Sequence, residues 1–115
     1  MRILALALGL TLAGAVGGQE LLAQQADGLA VYKEECKSCH GINGVPPARE
    51  QAKYKKLKSL GDSGFVSGLS QDSIVTILKK GIDKNVKSFA DKLEEPELRA
   101  VAAYIKELAE KRKGS

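Results

Sequence analysis

Cys36-Lys37-Ser38-Cys39-His40 is a C-x-x-C-H run, and its reading decides the fold. Two thiols at this spacing can reach the two vinyl groups on one edge of a porphyrin, and the next residue then presents an imidazole to the iron from the same side. Other chemistries use parts of this pattern. A redox-active C-x-x-C of thioredoxin type needs a βαβ context, which the chain lacks. Structural zinc takes four N or S ligands, and Cys36, Cys39 and His40 are the whole supply of Cys and His. A structural disulfide is the remaining competitor in an oxidising compartment. The motif therefore predicts one covalent haem c, held by Cys36 and Cys39, with His40 as the proximal iron ligand.

The surrounding sequence supports an exported protein. Met1-Arg2 is followed by an apolar run from Ile3 to about Val16 and then by small residues. This reads as a secretory signal peptide over residues 1–23, cleaved between Ala15 and Ala23. The run is short for a membrane span and broken by glycines; membrane attachment is expected only if it stays uncleaved. The expected location is periplasmic or otherwise exported. Residues 24–115 then form one domain. That domain has five aromatics (Tyr32, Tyr54, Phe65, Phe89 and Tyr104) and no Trp, a thin core for its size. A large apolar cofactor would supply what is missing.

The chain carries a net charge of +4. Lys53, Lys55, Lys56 and Lys58 cluster, and Lys111-Arg112-Lys113 lie near the end. The plain reading is solvated helix faces. The sharper one is a positive surface that docks an acidic redox partner. No basic motif interleaved with aromatics is present, and no nucleic acid is expected.

Periodicity predicts an all-α fold of three to four helices with long loops. A first helix is expected from about Gly28 to Lys37, opening at Asp27. Gly41, Gly44, Pro46 and Pro47 break regular structure. Ala48 to Leu60 reads as a helical turn or short helix, and residues 61–68 as a loop. Ser70 is an N-cap candidate, Ile74, Ile77 and Leu78 follow at helical spacing, and Gly81 sits at the C-cap. Pro96 suits the first turn of a last helix, whose stripe is Leu98, Val101, Ala102, Ile105 and Leu108.

At these residues the chain resembles a class I, monohaem, bacterial cytochrome c over nearly its whole length. The matching pieces are Gly28 to Tyr32, Cys36 to Gly41, and Glu94 to Leu108. The resemblance implies a cytochrome c-like fold around one haem, with Gly28, Tyr32 and Tyr104 packed where the first and last helices cross. It also implies a proline carbonyl, from Pro46 or Pro47, against the second nitrogen of the proximal histidine.

One departure from that family matters. Its usual sixth ligand is a methionine ahead of an aromatic in the loop before the last helix. Phe89 matches the aromatic, Val86 stands at the methionine position, and Met1 is the only methionine. With His40 the only histidine, the sixth position is expected to be open, water-bound, or filled by Lys87, Lys84 or Asn85. Electron transfer is the leading expectation, without a catalytic apparatus of its own. The alternatives are a haem that binds or converts a small ligand at the sixth site, and a haem subunit of a periplasmic dehydrogenase.

Overall fold

The computed structural model describes residues 26–61, 63–82 and 88–113, and the expected signal peptide lies outside them. Among the described residues the secondary structure is helical, with no strand. The elements are α1 (Gly28–Glu35), α2 (Lys37–His40), α3 (Ala48–Lys53), α4 (Ser63–Val66), α5 (Gln71–Lys80) and α6 (Glu95–Lys113). Three of them are longer helices; α2, α3 and α4 are segments of one to two turns.

Local chemistry sets most of the boundaries. Asp27 caps α1, its carboxylate accepting from the backbone N–H groups of Leu29 at 3.0 Å and Ala30 at 3.3 Å. The expected first helix ends earlier than Lys37. Cys36 is at once the last cap of α1 and the first of α2: its N–H donates to the Tyr32 carbonyl at 2.9 Å, and its own carbonyl accepts from His40 N–H at 2.9 Å. The Ala48–Leu60 helix is likewise shorter, stopping at Lys53, and the loop expected at 61–68 contains the single turn α4. Helix α5 has the expected ends. Ser70 Oγ accepts from Ser73 N–H at 3.0 Å, and Gly81 closes the helix through its N–H to the Ile77 carbonyl at 2.8 Å. At the start of α6 the Glu97 carboxylate accepts from Glu94 N–H at 3.0 Å, one half of a capping box.

The core lies where α6 crosses α1, α4 and α5. The expected stripe is buried in full: Leu98, Val101, Ala102, Ile105 and Leu108 are each no more than 6% exposed. Across from it lie Val31 and Tyr32 of α1, Val66 of α4, and Ile74 and Val75 of α5. The α1–α6 crossing is backbone-close. A Cβ added to Gly28 would sit 2.2 Å from the Ala100 carbonyl oxygen, so only glycine permits this approach. One turn on, the Tyr32 and Tyr104 rings meet at a centroid distance of 5.2 Å and a tilt of 57°, as the resemblance implied. Tyr32 is fully buried, whereas Tyr104 is half-buried.

Two substitutions test this crossing by denaturant unfolding of the haem-loaded protein. Gly28→Ala forces the helices apart and is expected to cost about 1–3 kcal/mol. Tyr32→Phe keeps the ring and removes a buried hydrogen bond from its hydroxyl to the Gly41 carbonyl, 2.7 Å long, for an expected loss of about 1 kcal/mol. A stability unchanged within 0.5 kcal/mol in both variants (roughly the spread of neutral surface changes) would contradict this crossing.

Candidate haem site

Helix α1 delivers Cys36 to the inside of the molecule, and the single turn α2 delivers Cys39 and His40. Cys36 is buried, Cys39 and His40 are half-buried, and the two thiols are unbonded. The turn is closed by the Gly41 N–H donating to the Lys37 carbonyl at 2.8 Å. Gly41 then leaves with φ of +77°, and a Cβ there would lie 2.0 Å from the Val45 carbonyl oxygen. A glycine directly after His40 is thus what lets the chain turn away sharply and leave the imidazole in place. The Tyr32 hydroxyl fastens the same point from inside, through its bond to the Gly41 carbonyl.

Electrostatics separate the candidate chemistries. Burial, then the neighbouring Glu35 carboxylate, then Cys39, push the Cys36 thiol up to about 11. That is the reverse of the lowered thiolate pKa that a redox-active C-x-x-C requires. Among the described residues no three His, Cys, Asp or Glu side chains converge as they would around a zinc ion. Burial pulls the His40 imidazole below its ordinary pKa, with the Lys58 backbone carbonyl opposing, which favours the neutral ring. Its Nδ1 is buried and has no hydrogen-bond partner. A neutral imidazole next to two unbonded thiols at the vinyl-matching spacing fits a covalently held haem.

The proline acceptor implied by the resemblance is not found at this nitrogen. The Pro47 carbonyl is engaged at the start of α3, accepting from Gln51 N–H at 3.0 Å, and the carbonyl acting on His40 is that of Lys58. Sequence reasoning missed Lys58 because a backbone carbonyl carries no residue signature. It also missed Glu35. That carboxylate, 11% exposed, pairs with Lys92 at 2.6 Å and so joins the end of α1 to the turn before α6. The i, j separation of that pair gives no periodic signal.

The candidate distal residues Lys84, Asn85 and Lys87, with Val86, lie outside the described residues. The segment that follows them is well tied. Phe89 N–H donates to the Leu78 carbonyl at 2.8 Å, the Phe89 carbonyl accepts from Leu93 N–H at 2.9 Å, and the Ser88 hydroxyl donates to the Lys79 carbonyl. Phe89 is half-buried against the core.

Among the described residues, no helix is long and apolar enough to cross a membrane. The fold is similar to that of the KustC0563 c-type cytochrome, with a TM-score of 0.64 at 23% identity over 72% of this chain and 98% of that one. No curated protein sequence matches the chain. The family model of cytochrome c oxidase, cbb3-type, subunit III, matches residues 23–105. The chain therefore belongs to that family, and it is a cytochrome c domain with covalently bound haem c that transfers electrons.

Proposed function

We propose that the protein is an exported, single-haem electron carrier whose haem is linked to Cys36 and Cys39 and ligated by His40. The observation that carries this reading is the half-buried His40 ring, which burial biases toward its neutral form, set directly after two unbonded thiols. The single C-x-x-C-H run supports one haem, and the apolar stretch behind Met1-Arg2 supports export. Bound haem supplies one-electron exchange between ferric and ferrous iron. The chain's own part is to hold the site rigid and to bias that exchange. Tyr32 holds the turn after His40 by its bond to the Gly41 carbonyl. The Glu35–Lys92 pair keeps the turn before α6 on the attachment segment. Burial of Cys36 and half-burial of His40 limit the access of water to the attachment side.

A second reading is favoured by one observation: apart from Met1 and His40 the sequence contains no methionine or histidine. The sixth position is then open, or filled by Lys84, Lys87 or Asn85, and can bind a small ligand. A place as the haem subunit of a larger dehydrogenase fits the same chain.

Expression with cytochrome maturation machinery should give a chain that stains for haem after denaturing electrophoresis, with an intact mass one haem above that of the processed polypeptide. Cys36→Ala and Cys39→Ala together should abolish both signals; a wild-type chain without attached haem would end this reading. Spectra of the same protein separate the two readings. A six-coordinate, low-spin ferric haem that turns high-spin in acid, and that loses this transition in either Lys84→Ala or Lys87→Ala, means a lysine ligand. A high-spin ferric form at neutral pH, with ready carbon monoxide binding to the ferrous form, means an open site. Either way the reduction potential should lie below that of methionine-ligated cytochromes, because N and O ligands favour ferric iron more than a thioether does.

A further inference from the structure

Helix α1 ends in Lys33-Glu34-Glu35, which puts two acids at the wrong end of a helix. The free carbonyls of a helix C-terminus carry partial negative charge, so cations are favoured in that turn and carboxylates are not. The sequence breaks this preference directly before Cys36. Glu34 is exposed and loses little by it. Glu35 is in a different position. Its carboxylate is 11% exposed and is met at 2.6 Å by the Lys92 ammonium, from the turn before α6. A local preference broken at a shielded position points to a role in the tertiary structure.

The pair is lopsided. The carboxylate is shielded by protein, whereas Lys92 is 63% exposed. Water screens the cation more than the anion, so the pair leaves a net negative field on its protein side. Cys36 lies on that side and is itself buried. Burial first, and the Glu35 carboxylate next, push its thiol up to about 11, so the field of Glu35 reaches this sulfur. In the haem-loaded protein the same sulfur is the thioether to the porphyrin, and a field acting there acts on the ring it holds.

Other ion pairs of the chain are placed differently. Lys79–Glu95, Arg99–Asp72 and Arg99–Glu95 join exposed groups of α5 and α6, and Lys111–Glu107 lies along α6. Glu50, the other shielded carboxylate, pairs with its own neighbour Arg49 on α3. Glu35 alone among these acids is joined in sequence to a haem-attaching cysteine and in space to a distant segment.

We propose that Glu35 and Lys92 set the reduction potential of the haem as an opposed pair, the shielded carboxylate favouring ferric iron and the exposed ammonium tempering it. Ferric haem carries one more positive charge than ferrous haem, so a fixed anion nearby stabilises the oxidised state and a cation the reduced one. The assignment rests on the haem reading of Cys36 to His40 and adds to it the charges that bias the exchange.

The test measures the midpoint potential of the haem-loaded protein by spectroelectrochemistry with soluble mediators, and the unfolding midpoint of each variant beside it. One electron is exchanged with the electrode, with no bond made or broken and no proton moved. Glu35→Gln keeps the shape of the side chain and should raise the ferrous-to-ferric ratio at a fixed potential by roughly threefold to tenfold. Lys92→Gln keeps a hydrogen-bond donor for the carboxylate and should lower the ratio, by about twofold to threefold because the lost charge was in water. Glu35→Lys together with Lys92→Glu rebuilds the pair with its polarity reversed and should raise the ratio above that of Glu35→Gln. Lys92→Arg, and Glu34→Gln at the exposed neighbour, should each change it by less than about twofold.

A pair that merely held the structure closed would behave otherwise. Loosening it would admit water, which favours ferric iron, so both Gln variants would shift the same way and the exchanged pair would restore the wild-type potential. Either result would overturn the proposal. So would a Glu35→Gln potential equal to that of the wild type, or a Glu34→Gln effect as large as that of Glu35→Gln. A wild-type chain without attached haem would instead count against the haem assignment, which the staining experiment reads separately.

Discussion

The site depends on the contact between Gly28 of α1 and the Ala100 carbonyl of α6. Backbone contact at that point sets the angle and depth at which α1 meets the last helix. It brings Tyr32, one turn later, under the core and against Tyr104. From there one hydroxyl reaches the carbonyl after His40. The haem turn is thus not held by its own four residues, which are too few to be stable alone. It is held because a helix crossing positions a buried tyrosine that grips it. Removing the hydroxyl's partner would leave a polar group in a site where burial already drives the phenol's pKa far upward, with Cys36 and Tyr104 adding to the rise.

The same crossing explains why so thin a core suffices. The buried set is mostly short aliphatic side chains, and Tyr32 is its one fully buried aromatic. Leu60, Leu69, Leu78, Phe89 and Tyr104 pack around it and stay partly exposed. Chains of this size commonly gain the missing burial from a cofactor or cross-link. Haem attached at Cys36 and Cys39 would add apolar area next to this core, which Cys36 already joins, through bonds that do not dissociate.

Much of the fold was legible because it rests on local or periodic signals. Ser70 and Gly81 bound α5 as capping chemistry requires, and the stripe from Leu98 to Leu108 is buried in full. The pairing of Gly28, Tyr32 and Tyr104 followed from a resemblance, not from spacing. What was not legible depends on tertiary geometry. Nothing local distinguishes Cys36, where α1 gives way to α2, from the residues before it, since its own backbone bonds continue the helical pattern on both sides. The acceptor near His40 was sought at a proline, but Pro47 spends its carbonyl on α3 and the chain returns through Lys58 instead. Arg112 reaches Gly61 across half the sequence, a contact that no pattern in either segment announces.

The two ends of the haem-attachment segment are treated differently, and the difference bears on function. On the α1 side, Glu35 and Lys92 join the attachment helix to the turn leading into α6 by an ion pair whose carboxylate is largely shielded from solvent. Two further bonds, Phe89 to Leu78 and Ser88 to Lys79, tie the same turn to the end of α5. The loop bearing Lys84, Asn85 and Lys87 therefore starts and finishes at anchored points, Gly81 and Ser88. On the other side, the loop bearing Lys53, Lys55, Lys56 and Lys58 is pinned at Gly44 and faces solvent, with its charge unpaired. The tyrosine and glycines that hold His40 lie between these two sets of ties.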